Sequence, residues 1–242
     1  SDKGVTAFIW YLSGWRSRDR DTAQLFFSDV IAADMATPRA ILLGALEIDP
    51  PDLCTERILE LLRTGRIDAS GVLDPLLGSR WLREVNEGHL VSVLRLIADP
   101  DFAGGAQIPH FIFLRIHDAQ VAPGPLVEFA WEYLEAHQTA NVHLADFYSD
   151  NLAARLVRLD QERAFALLRA TITDERDGQR WNPLASRPQL DFWRTLSGFD
   201  RARALATILD ASRGGGAARY TILWFVPDLI DLPRDGDLLA DY

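Results

Sequence analysis

The chain has 242 residues, 48% hydrophobic and 25% charged, with a net charge of −10. That length allows one large domain or two small ones, and the balance is that of an ordinary globular protein. No apolar run approaches the roughly 20 residues of a membrane span, the most apolar being Phe8 to Leu12 and Ile222 to Val226. No secretory signal opens the sequence, and Cys54 is its only cysteine, so no internal disulfide can form. A cytoplasmic protein is the expectation. Lys3 is the only lysine and stands in no Walker-type or Schiff-base setting. The acidity lies in residues 1–150, with 12 basic and 22 acidic side chains; residues 151–242 hold 13 of each. Such a chain is a poor general ligand for nucleic acid. The locally basic 151–219 leaves room for an anionic partner.

In chain order, the first predicted helix carries Val5, Phe8, Ile9 and Leu12 on one face, with Trp10 and Tyr11 on other sides. A helix apolar all round expects neighbours on more than one side. With the missing initiator methionine and the leucine-bearing end at 235–242, this suggests a fragment of a longer protein; a well-buried first helix is the alternative. Thr37-Pro38 predicts a helix start, a hydroxyl cap followed by a proline whose missing N–H costs nothing there. Residues 52–64 place Cys54, Ile58, Leu61 and Leu62 on one helical stripe, and 86–98 do so with Leu90, Val93, Leu94 and Ile97. Residues 110–116 and 220–226 are short, aromatic and β-branched; buried helices are preferred to strands because no partner strands recur nearby. Residues 125–137 carry Leu126, Phe129, Ala130, Tyr133 and Leu134 at i, i+3, i+4, i+7 and i+8. Asp160 and Asp200 are expected N-caps, Pro109, Pro125 and Pro188 possible first residues, and Gly65, Gly78, Gly178 and 214–216 expected stops.

The sequence also repeats. Leu156 to Ala166 aligns with Leu196 to Ala206 at an offset of 40, matching Asp160 with Asp200, Arg163 with Arg203 and Ala164 with Ala204. Glu56 to Arg63 aligns with Glu162 to Arg169, and Leu12 to Trp15 with Leu196 to Phe199. Helix starts near Asp21, Asp52, Asn86, Pro123, Asp160 and Asp200 lie 31 to 40 residues apart. A period near 37 residues is one helix pair, which must stack on its neighbours to bury its stripe. In these features the chain resembles HEAT and armadillo repeats. The resemblance implies an all-α, α-α superhelix of about six units forming a single helical-repeat domain over 1–242. A non-repetitive helical bundle is the alternative.

Catalytic signals are sparse. His89, His110, His117, His137 and His143 form no compact zinc motif. Glu128, Glu132 and Glu135 share a helix face and read as solvated, although paired carboxylates can cleave glycosides. Cys54 falls on a buried stripe. Arg213 to Arg219 could cradle an anion but reads better as a loop. No cofactor or metal is expected. Trp15, Trp81, Trp181 and Trp193 each have an arginine within two residues, Arg180 and Arg194 among them. Tryptophan and arginine lead interface hot spots. Core packing is preferred for each tryptophan, and this group is the candidate interface.

The expectation is therefore a non-catalytic interaction or scaffold module with a protein or peptide partner. The resemblance implies a place such as the sensor arm of a larger bacterial multidomain protein. HEAT-like DNA glycosylases are the alternative, disfavoured by the charge; a helical-toroid hydrolase using Glu128 or Glu132 is a third.

Overall fold

A computed structural model describes residues 2–98, 108, 111–112, 115, 123–139, 147–173, 190–213 and 236. Every regular element among them is helical. The helices are α1 (Asp2–Arg16), α2 (Arg20–Ala32), α3 (Pro38–Ile48), α4 (Pro51–Arg63), α5 (Ala69–Leu76), α6 (Arg80–Glu84), α7 (Glu87–Ile97), α8 (Pro125–Thr139), α9 (Phe147–Leu156), α10 (Gln161–Thr173), α11 (Leu190–Phe199) and α12 (Arg201–Arg213). None is long and apolar enough to cross a membrane. The chain divides into two compact units, Ser1–Phe111 and Ile112–Tyr242.

Local chemistry explains the boundaries. Thr37 Oγ1 accepts from the Ala40 amide at 3.3 Å, and Pro38 opens α3. Asp160 Oδ1 accepts from the Arg163 amide and Asp200 Oδ1 from the Arg203 amide, each at 2.9 Å. Asp19, Asp68, Ser79 and Asn86 cap α2, α5, α6 and α7 in the same way. Each cap satisfies an amide that has no partner inside its helix. Gly65 and Gly78 take positive φ of 64° and 79° where chain segments turn, a conformation nearly free of cost only for glycine. All six expected helix starts fall within two residues of α2, α4, α7, α8, α10 and α12. Ile108, Phe111 and Ile112 are helical and buried, in line with the helical preference there. Residues 220–226, Pro109, Pro188, Gly178 and 214–216 lie outside the described residues.

In the first unit α1 packs on α2 and α3, α3 on α4, and α4 on α7, with α5 and α6 against α3. Leu42, Ala45 and Ile48 of α3, Ile58 of α4, Val72 and Leu76 of α5, and Leu90, Val93, Leu94 and Ile97 of α7 are buried. Trp81 is buried too, its indole N–H donating to Thr55 Oγ1 at 2.9 Å. In the second unit α9 packs on α11, α10 on α12 and on α8, and α11 on α12. The two aligned segments have the same backbone. Asp160 and Asp200 amides each donate to a buried leucine carbonyl four residues back, Leu156 and Leu196, at 3.2 Å. Ala164 and Ala204 are buried at the same step.

Acid should weaken this scaffold. Hydrogen bonds from Thr22 and from Gly71 hold the Asp19 and Asp68 carboxyls below their usual range, and the Arg203 guanidinium does so for Glu162. A folded pKa below the unfolded one stabilises above the unfolded value, and that stability is lost as pH falls through the folded one. Asp49 runs the other way. Burial pushes its carboxyl up against the pull of Arg57, so its contribution is full in acid and fades as pH rises. The three depressed carboxyls lose their contribution below about pH 4, the ordinary carboxylate range. The Asp19→Asn, Asp68→Asn double variant keeps both caps without titrating. It should show a shallower drop in a pH series of thermal melts; an unchanged drop would assign the acid sensitivity elsewhere.

Candidate functional site

The candidate interface residues separate by burial. Trp81 and Trp193 are core side chains, 3% and 2% exposed. Two of the proposed anchors are therefore not surface groups, in line with core packing. Trp193 has Arg201 over its ring at 5.8 Å. Arg194, beside it on α11, is exposed. Trp15 is half-buried and packs on Tyr11 and Phe26, with ring centres 5.6 and 5.1 Å away. Trp181 and Arg180 lie outside the described residues.

The recurring arginine shows what the sequence alignments encode. Arg163 near the start of α10 reaches back to α8. Its guanidinium donates to both Glu135 carboxylate oxygens at 2.5 and 2.9 Å and to Glu128 at 2.9 Å, and lies 5.4 Å from the Trp131 ring centre. Arg203 near the start of α12 reaches back to α10 in the same way. It grips Glu162 at 2.5 and 2.7 Å and covers Phe165 at 4.1 Å. Arg57, aligned with Arg163 in sequence, sits on α4 over Phe27 of α2 at 5.4 Å. It donates to Asp49 at 2.7 Å and to Ser28 at 3.2 Å. Each arginine thus clamps a helix to an earlier one through a ring and polar partners, combining cation–π attraction with charge-assisted hydrogen bonds.

These clamps revise the acidic face. Glu128 and Glu135 are not simply solvated but are held by Arg163. The clamps differ in depth. The Arg163 side chain is 25% exposed, and Arg203 41% against a Glu162 that is 78% exposed. Arg163→Met, which keeps the stem over the ring, should cost about 1–2 kcal/mol in urea unfolding, since part of the charge-assisted bonding is screened by solvent. Arg203→Met should cost less, and 1 M salt should erase its effect first. Equal costs at all salt concentrations would contradict this ordering.

Other polar groups are accounted for locally. Cys54 is buried, and burial pushes its thiol well above the usual range; the sequence stripe had placed it inward. His89 Nδ1 lies 3.1 Å from Asp52 and 2.9 Å from Asn86 Nδ2 at the helix starts of α7 and α4. His110, His117 and His143 lie outside the described residues, as do Gly214 to Arg219. Among the described residues no group of three metal-ligating side chains converges. A cleft of about 470 Å³ at the starts of α3 and α5 includes Arg39, Arg66 and Asp74, charges of both signs, with Arg66 held by Asp34 at 3.4 Å.

One surface feature was only half legible in the sequence. Trp10 and Tyr11 on α1 are 76% and 59% exposed, whereas Leu12 is fully buried. Tyr11 contacts Phe26 edge-on at 6.2 Å, so Tyr11, Trp15 and Phe26 form one aromatic cluster between α1 and α2. An open groove of about 410 Å³ runs beside it, lined by Trp10, Tyr11, Gly14, Trp15 and Arg18. The apolar sides of the first helix are thus partly uncovered, and the well-buried alternative does not hold for Trp10 and Tyr11.

Comparison with protein-family models, with curated proteins and with solved structures finds no match for this chain.

Proposed function

We propose that this chain is a HEAT-like helical-repeat interaction module that binds a protein or peptide and carries no catalysis of its own. The observation that carries the reading is the repeated clamp, in which Arg163 and Arg203 occupy the same capped turn and each grip the helix two before their own. The neighbour pattern agrees: α9 lies on α11 and α10 on α12, as stacked helix pairs require. A chain built this way serves by presenting a surface along its layers, as a scaffold or as the sensor arm of a larger protein. Panning the purified chain against a displayed random-peptide library, followed by calorimetry on the winners, tests the reading. Selected peptides should bind at about micromolar Kd. A library yielding no binder would sink it, and salt-sensitive binding of a labelled DNA duplex instead would favour the DNA-binding alternative.

A further inference from the structure

The exposed groove on α1 goes beyond the general reading of an interaction module and rests on it. Trp10 and Gly14 stand four residues apart on one face of α1, and Arg18 lies in the turn just past its last residue, its amide donating to the Trp15 carbonyl at 2.9 Å. Each element of the stripe has a distinct character. Trp10 is an exposed wall, and Tyr11 and Trp15 make a second wall braced by Phe26. At Gly14 the floor is backbone, and a Cβ built there would meet no atom within 4 Å. Arg18 closes one end. It makes no ion pair among the described residues, whereas neighbouring Arg16 is tied to the Glu47 carboxylate at 3.0 Å and to the Glu47 carbonyl at 2.6 Å. Residues 14–20 hold three arginines and one carboxylate in a chain of net charge −10. An apolar slot ending in an unpaired guanidinium selects an apolar side chain followed by a carboxylate.

We propose that this stripe docks a helical segment of a partner protein carrying an aliphatic or aromatic anchor and an Asp or Glu one turn further along. The anchor fills the notch over Gly14 between the tryptophans, and the carboxylate meets Arg18. The spacing follows from geometry. Arg18 sits in the hydrogen-bonded turn that directly follows α1, about one turn beyond Gly14, and an i, i+4 pair on the partner likewise places its two side chains about one turn apart. The braced aromatic cluster needs little reordering to receive the anchor, which limits the entropy lost on docking.

The probe is a fluorescein-labelled alanine-rich helical peptide of about 15 residues with one Leu and one Glu four apart, and a twin with Lys in place of Glu. Anisotropy titration should show the Glu peptide binding and the Lys twin binding more weakly. Gly14→Gln fills the notch without a clash and should weaken the Glu peptide by about tenfold. Arg18→Glu should weaken it by about fivefold and favour the Lys twin. Gly14→Gln should melt at or above the wild-type temperature and Arg18→Glu, an exposed change, close to it, which separates lost docking from lost folding. The proposal is overturned if the two peptides bind alike, if neither binds, or if both variants bind as wild type does. It is also overturned if sedimentation shows self-association that Gly14→Gln abolishes, which assigns the stripe to a second copy. Peptides selected by panning that bind both variants unchanged would leave the interaction module standing and refute this site alone.

Discussion

Phe27→Ala should lower the stability of the first unit by about 3–5 kcal/mol, the range for deleting a fully buried ring. Phe27 has no exposed surface and lies where three helices meet. From α1, Phe8 approaches it with ring centres 6.3 Å apart; from α4, Arg57 covers it. From α3 the approach is closest. A Cβ placed on Gly44 would stand 2.4 Å from Phe27 Cε2. Gly44→Ala therefore sets two terms against each other. Alanine improves the helix by up to about 1 kcal/mol, while overpacking a full core costs about 1–3 kcal/mol. The single variant should lose stability. With Phe27→Ala present the clash is gone and the new methyl partly fills the void, so the same substitution should gain stability. Urea unfolding of the four-member cycle measures this coupling, and hydrogen exchange localises it to α2 and α3. Additive effects of the two substitutions would refute the contact.

The degree to which the sequence disclosed this molecule follows from the range of each interaction. Caps and stripes are local, so Thr37-Pro38, Asp160, Asp200 and the stripe containing Cys54 could be read directly. The short helices α5 and α6 were not legible. Gly71, Pro75 and Gly78 fall within eight residues and signal breaks, yet α5 runs through Gly71 and Pro75 and α6 starts two residues after Gly78. The clamps of Arg163 and Arg203 depend on carboxylates 28 to 41 residues away, such as Glu135 and Glu162. A helix-face reading of Glu128, Glu132 and Glu135 sees only neighbours three or four residues away. The repeat alignment held the missing signal, because it matched Arg57, Arg163 and Arg203 before any role could be given to them. The tryptophans do not sort themselves in the sequence, because composition cannot separate an indole filling a gap between helices from one facing solvent. Trp81 and Trp10 differ in this respect, although each lies close to other aromatic or arginine residues.

Trp193→Ala should cost the second unit about 3–5 kcal/mol, by the same cavity argument. The indole sits on α11, which packs on α9 and α12, and it is 2% exposed beside the buried Phe192 and Leu196. Arg201 over the ring adds a cation–π contact that alanine also removes. Consequently, lost partner binding in this variant would report a loosened unit before it reported a lost anchor. Trp15→Ala is the informative contrast. Trp15 is half-buried and bounds the α1 groove, so its removal should cost about 1 kcal/mol, the typical effect of one substitution, yet weaken a peptide docked on that groove. Paired melting and peptide titration on the two variants therefore separate folding from recognition. Trp193→Ala should shift the melt strongly and leave affinity for the α1 peptide unchanged at temperatures where the chain remains folded. Trp15→Ala should do the reverse. If Trp193→Ala leaves the melt in place, the core position of that indole is wrong, and α11 returns as a candidate binding surface.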